Sequence, residues 1–145
     1  MKIIYGSGSG NTERVCRKVA EVLEVRGHKV ELFNVKVCGP QDVGRADLYI
    51  WGSPTYGHGQ IESFMGRFMR GCGEWELKGV RCAVIGLGDM KYDSDYLIES
   101  AVILEEFLVE KGAELVCKSL KIAKSPVPRL ETNVKKWAEE ISGLC

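Results

Sequence analysis

Residues Gly6-Ser7-Gly8-Ser9-Gly10-Asn11-Thr12 gather, in one unbroken run, side chains that are either absent or end in a short hydroxyl or amide. Such a segment can wrap an anion. Glycine lets backbone N–H groups approach closely, Ser7, Ser9 and Thr12 can donate from their hydroxyls, and a helix starting at Asn11 would add roughly half a positive charge at its N-terminus. The chemistry is phosphate binding that needs no lysine or arginine. Two other phosphate loops do not fit. A P-loop places four residues between its glycines and then Lys and Ser or Thr, whereas Gly6 and Gly10 enclose three and Asn11-Thr12 follow. The dinucleotide fingerprint fails because Gly10 comes too soon after Gly8, and the next strand ends at Phe33-Asn34 without an acid for a ribose. Taken alone, the run could also be a plain strand-to-helix turn, which is commonly short.

Two more segments could face the same ligand. In Ser53-Pro54-Thr55-Tyr56-Gly57-His58-Gly59 an aromatic sits among small residues with no core position, and an exposed aromatic can stack on a planar ring. In Leu87-Gly88-Asp89-Met90-Lys91-Tyr92, Asp89 by itself reads as a turn residue and Tyr92 as packing at a helix entry. His58 reads as a solvated loop histidine, with titration near neutral pH as the alternative.

The elements that would position these loops alternate along the chain. Apolar, β-branched runs at 2–5, 29–33, 46–51 and 80–85 predict strands buried on both faces, and 114–122 predicts a fifth. Helical patterns cover 11–26, 61–70, 96–110 and 130–142, the last opened by Pro126 and Pro128. In the first helix Val15, Val19, Val22 and Leu23 share a face, and Glu13 can pair with Arg17. Leu97, Ala101, Leu104 and Leu108 do the same in the third helix, and Val134, Trp137 and Ile141 in the fourth. The expectation is an α/β fold: a doubly wound, five-stranded parallel sheet with helices on both faces. Such sheets bind ligands beyond the carboxyl ends of the strands, where the strand order reverses, which is where the three segments would lie. Residues 38–44 read as a connection with a turn of helix.

Composition narrows the class. The 145 residues, 45% hydrophobic, suffice for one core and predict a single domain over 1–145. Lys plus Arg and Asp plus Glu number 20 each, so neither a nucleic acid nor a membrane surface is indicated as partner. Met1-Lys2-Ile3-Ile4-Tyr5 is too brief an apolar run for a signal peptide or a span, which predicts a soluble, cytoplasmic protein. The six cysteines show no C-x-x-C pair and read as reduced thiols, with Cys82 and Cys117 in the core and no metal site.

Ser7-Gly8-Ser9-Gly10-Asn11-Thr12 closely resembles the phosphate signature of flavodoxins: Ser or Thr, any residue, Ser or Thr, Gly, often Asn, then Thr. The resemblance runs along the whole chain and, lacking a long insertion in the final strand, points to the short-chain group. It implies strand order 2-1-3-4-5 and FMN as a non-covalent cofactor. It places the phosphate on Ser7 to Thr12 and the isoalloxazine between Tyr56 and Tyr92. Pro54, Thr55, Gly57 and His58 then lie along one ring edge, and Leu87, Gly88 and Asp89 at the pyrimidine edge. Gly57 matches the position whose peptide can flip so that its carbonyl accepts from N5–H of the half-reduced flavin, and Asp89 adds negative charge that opposes the anionic hydroquinone. The implied function is a low-potential carrier that shuttles single electrons between redox partner proteins through a stabilised neutral semiquinone. It would be a monomer and not an enzyme.

Flavodoxins are usually acidic. This chain is neutral, with His58 at a position commonly acidic or small and Lys91 between Asp89 and Tyr92. The main rival is an FMN-dependent NAD(P)H:quinone reductase of the same fold, for whose nicotinamide site and oligomer-building segments the chain has no spare length. A phospho-receiver of this topology would need acids where Gly6-Ser7 and Gly52-Ser53 stand.

Overall fold

The computed structural model describes residues 1–56, 59–88 and 98–145. Its centre is a parallel sheet in the order β2-β1-β3-β5-β6. Here β1 is Lys2–Tyr5, β2 Glu31–Asn34, β3 Leu48–Tyr56, β4 Gln60–Ile61, β5 Arg81–Leu87, β6 Glu114–Leu115 and β7 Leu120–Ile122. Helices α1 (Asn11–Val25), α2 (Ser63–Gly71), α3 (Glu99–Glu110) and α4 (Lys135–Gly143) cover it. A single 3-10 turn, Pro40–Asp42, fills the expected connection before β3.

The sheet is doubly wound because each central strand feeds two cores. Ile3, Ile50 and Ile85 point to the face covered by α1 and α4, where Val15, Val19, Leu23, Val134, Trp137 and Ile141 meet them. Their neighbours Ile4, Trp51 and Val84 point to the face covered by α2 and α3, with Met65, Phe68, Ala101, Leu104 and Leu108. Uninterrupted apolar strands follow from this, since both alternating faces are dry. The helix faces expected from spacing are buried as expected for the described residues; Tyr96 and Leu97 lie outside them. Trp75, whose place the sequence leaves open, belongs to an aromatic cluster. Its ring centroid lies 6.1 Å from Phe68 and 6.4 Å from both Tyr49 and Trp51.

Among the boundaries that differ from expectation, three have a local reason. Strand β3 runs on to Tyr56 through Pro54. The Gly6 N–H donates to the Gly52 carbonyl at 2.9 Å, so Gly52 faces β1 and, two residues on, Pro54 faces the same side beyond the end of β1. No partner there requires the missing N–H. Helix α2 begins at Ser63 rather than residue 61 because Ile61 pairs antiparallel with Thr55, and Gln60 with Tyr56. The fifth strand is broken: β6 pairs with Arg81–Cys82 and β7 with Ile85–Leu87, both parallel to β5. Between them the Lys118 carbonyl turns away to accept from the Trp137 indole at 2.9 Å. The last helix likewise opens as a π-helical stretch, Leu130–Val134, before α4.

All six cysteines are free thiols. Cys82 is fully buried and Cys117 half-buried, and burial pushes their thiols up, to about 12 and about 11. Neither is a reactive thiolate at neutral pH.

Candidate functional site

The glycine and serine run lies between the end of β1 and the start of α1, as its composition demands. Ser7 shapes it. Its Oγ accepts from the Gly10 N–H at 3.1 Å and the Glu13 N–H at 3.3 Å, so one hydroxyl closes the loop onto the first turn of the helix. Gly10 occupies the N-cap position at φ 93°, which strongly favours a residue without Cβ, and offers no side chain to cap the helix. Ser7 supplies that cap from three residues upstream, and its own hydroxyl proton remains available to an acceptor. Gly8 and Ser9 are exposed, and Asn11 is half-buried with its Oδ1 accepting from Arg14 Nη1 at 3.4 Å. A guanidinium therefore stands beside a loop whose sequence needs none.

Thr12 is the unusual member. It is 1% exposed, in the first turn of α1, and its hydroxyl has no hydrogen-bond partner among the described residues. A buried hydroxyl without a partner costs about 1–3 kcal/mol. An anion resting on the free N–H groups of the first turn would take this hydroxyl as a further donor. Gly10 at positive φ, the spare Ser7 proton and the orphaned Thr12 hydroxyl together fit a phosphate group.

The loop is braced by residues that the sequence does not mark as part of a site. Tyr5, buried at the last position of β1, donates from its hydroxyl to Glu13 Oε1 at 2.5 Å, and Arg17 lies 3.5 Å from the same oxygen. Burial first, then the Glu13 hydrogen bond and charge, hold the Tyr5 phenol well above the usual tyrosine range. The Glu13–Arg17 pair is the part visible in the spacing; the buried phenol joining it to β1 is not. Glu62 is the second brace. This carboxylate, 2% exposed, accepts from the Phe64 and Met65 N–H groups, each at 2.8 Å, and so caps α2. Its Oε2 packs so closely on Gly6 that a methyl group there would overlap it.

At the end of β3 the three expected residues part company. Pro54 is half-buried. Thr55 is buried, and its Oγ1 accepts from the Ser100 N–H at 3.1 Å while Ser100 Oγ donates to the Ser53 carbonyl at 3.0 Å. The Thr55 hydroxyl thus serves the start of α3, whose own N-cap Ile98 offers no side-chain acceptor. Tyr56 emerges, 38% exposed, with its hydroxyl against Gly8. Burial, then the Glu62 charge, raise its phenol. The structure therefore brings the aromatic to the glycine loop.

At the end of β5, Leu87 faces the core and has only its backbone to offer, while the Gly88 N–H donates to the Ile122 carbonyl at 2.8 Å. Gly57, His58, Asp89 and Tyr92 lie outside the described residues. A groove of about 980 Å³ opens at the opposite end of the sheet, among Lys2, Glu31, Asp47 and Trp75. Its charges are mixed, and its Lys2 ammonium already donates to the Val43 carbonyl. The donors suited to an anion converge at the carboxyl ends.

Known proteins resemble this chain in sequence and in fold. The family model described as Flavodoxin matches residues 3–137. A flavodoxin of Maridesulfovibrio salexigens is 35% identical over 128 residues, which are 86% of this chain and 86% of that protein. One from Nitratidesulfovibrio vulgaris (strain Miyazaki F) is 32% identical over 144 residues, 96% of this chain and 94% of its own length. Among solved structures, oxidised flavodoxin 2 from Bacillus cereus superimposes with a TM-score of 0.87 at 32% identity, covering 98% of this chain and 97% of that one.

Proposed function

The chain belongs to the flavodoxin family, FMN-binding electron carriers in general, and from that premise we propose that it binds FMN non-covalently and passes single electrons between redox partner proteins. The observation that carries this reading is the buried, unpartnered Thr12 hydroxyl beside the loop closed by Ser7. The FMN phosphate would take Thr12, Ser7 and Ser9 hydroxyls and the backbone N–H groups of Gly8, Gly10 and Asn11 as donors. When bound, FMN supplies the redox chemistry. The chain's part is to hold the phosphate, stack Tyr56 and Tyr92 on the ring, and set Asp89 at its pyrimidine edge. Backbone groups of Pro54, Thr55, Gly57, His58, Leu87 and Gly88 would line the ring. The Gly57 carbonyl would serve as a hydrogen-bond acceptor toward the ring edge.

In this reading the chain is one flavodoxin domain, a cytoplasmic monomer that carries electrons and is not an enzyme. No helix among the described residues is long and apolar enough to cross a membrane. Its partners are proteins that accept a docking face of mixed charge, since His58 and Lys91 flank the ring loops of a chain with zero formal net charge. Stepwise reduction of the purified protein, followed by its absorption spectrum, tests the proposal. Yellow protein reduced in two separate one-electron stages is the expected result. Colourless protein that FMN cannot reconstitute would overturn flavin binding, and reduction in a single two-electron stage would overturn the carrier. Steady NADH oxidation with quinone would replace the carrier by a reductase.

A further inference from the structure

The phosphate signature accepts any residue at its second position, which Gly8 fills. In this chain the surroundings do not. A methyl group on Gly8 would overlap the Tyr56 hydroxyl and lie 2.7 Å from Tyr56 Cζ. Gly8 differs in this from Gly10, where the space around the same methyl is open and positive φ alone calls for glycine. The Tyr56 side chain is anchored at its root, because Tyr56 pairs with Gln60 and the preceding Thr55 is tied to Ser100. Its tip comes to rest against Gly8, with the phenol oxygen where a Cβ on that residue would stand.

We propose that Gly8 and Tyr56 form one positioning unit, in which the bare Gly8 admits the phenol and packs against it, fixing the aromatic platform to the phosphate loop. Gly8 is then glycine for the sake of a side chain 48 positions away, and not for the backbone approach to an anion that its place in the run suggests. The pair rests on the FMN reading for its purpose, but the contact itself is independent of any flavin. Residue 8 and residue 56 thereby become a matched choice: a side chain at the first requires something other than tyrosine at the second.

Two measurements test this. In flavin-stripped protein with ring-labelled tyrosine, the Tyr56 signal, assigned by its loss in Tyr56→Phe, is titrated by NMR. Burial and the Glu62 charge raise this phenol in the wild type. Gly8→Ala, by swinging the phenol out, is expected to bring it down toward the ordinary tyrosine value. An unchanged titration overturns the pair. FMN affinity is then measured in the wild type, Gly8→Ala, Tyr56→Leu and the double variant. Gly8→Ala is expected to weaken FMN about tenfold beside Tyr56 and less than about twofold in the Tyr56→Leu background. Equal losses in both backgrounds overturn the pair and return Gly8 to a backbone role. Should the wild type itself fail to bind FMN, the cofactor reading falls while the phenol titration still decides the pair.

Discussion

The phosphate loop and the hairpin that carries Tyr56 meet at the same ends of the sheet, but they keep their shapes by different means. The loop is held by its neighbours: Ser7 Oγ gathers the Gly10 and Glu13 N–H groups, no more than six residues away. The hairpin is held from afar. Thr55 leans on Ser100, 45 residues on, and Glu62 and Tyr56 rest on Gly6 and Gly8 in the loop itself. A locally closed loop can lose ligand contacts and keep its fold, whereas changes at the hairpin's supports reach the scaffold as well. The difference teaches where affinity and stability separate.

Ser9→Asp should separate them most. Ser9 is exposed and makes no bond that holds the loop among the described residues, so an added carboxylate should leave folding unchanged while opposing a bound phosphate. Two like charges about 4 Å apart at an effective dielectric near 20 repel by roughly 4 kcal/mol. FMN affinity should fall at least about 100-fold, with an unchanged urea midpoint. Equal affinity in a flavin fluorescence titration would mean that the loop does not hold the phosphate. Glu62→Ala should join them. Removing this buried cap leaves two N–H groups of α2 without an acceptor and frees the packing against Gly6. A loss of about 2 kcal/mol in urea unfolding is expected, together with weaker FMN binding, and Glu62→Gln should recover part of both. A stability loss with unaltered affinity would show that the carboxylate supports α2 alone.

What could be read from the sequence follows the same division. The phosphate loop is contiguous, so its glycines, hydroxyls and helix start are all visible at once; the alternation of apolar runs with helical patterns shows the parallel α/β class, and the family resemblance supplies the strand order. Glu62 is invisible because nothing in Ile61-Glu62-Ser63 announces that its carboxylate packs on Gly6, across the sheet end. Tyr5 is read as the last residue of a strand, with no sign of its bond to Glu13. Residues 53–56 read as loop although β3 runs through them, since a proline's missing N–H matters only where a neighbouring strand faces it, and β1 has ended by Pro54. Thr55 reads as a ligand residue by position, although its hydroxyl is engaged by Ser100. For Glu62, Pro54 and Thr55 the deciding partner is remote in sequence, and local pattern carries no trace of it.

Thr12→Val gives the two effects opposite signs. The hydroxyl it removes has no partner among the described residues, so the flavin-free protein should gain up to about 1 kcal/mol in urea, while FMN affinity falls roughly tenfold. A stability loss in the flavin-free protein would mean that Thr12 has a partner in solution and that the orphaned hydroxyl is no mark of the phosphate site.

The smallest expected effect lies at Tyr5, where loop and scaffold meet. Tyr5→Phe removes one hydrogen bond to Glu13 but leaves the apolar ring in the core and Arg17 beside the carboxylate. A loss of roughly 0.5–1 kcal/mol is expected at pH 7, with FMN affinity within about threefold of the wild type, because Ser7 still gathers Glu13 through its backbone N–H. The pH dependence gives the sharper reading. Burial and Glu13 raise the Tyr5 phenol in the folded protein, so the folded state holds this proton more tightly than the unfolded chain does. Its contribution is fully present below the unfolded value near pH 10 and is lost as pH rises beyond that. The buried thiols of Cys16, Cys72 and Cys82 are raised too and titrate in the same window in both proteins. Cys72 and Cys82 cancel in the difference between wild type and Tyr5→Phe, whereas Cys16, whose charge acts on the Tyr5 phenol, cancels only in part and adds to the loss at high pH. The wild-type advantage should therefore be constant through neutral pH and shrink above about pH 10, where an ionised phenol would face the Glu13 carboxylate. A difference that stays level to the alkaline limit of folding would mean that the Tyr5 hydroxyl does not bind Glu13, and that β1 guides the loop through packing alone.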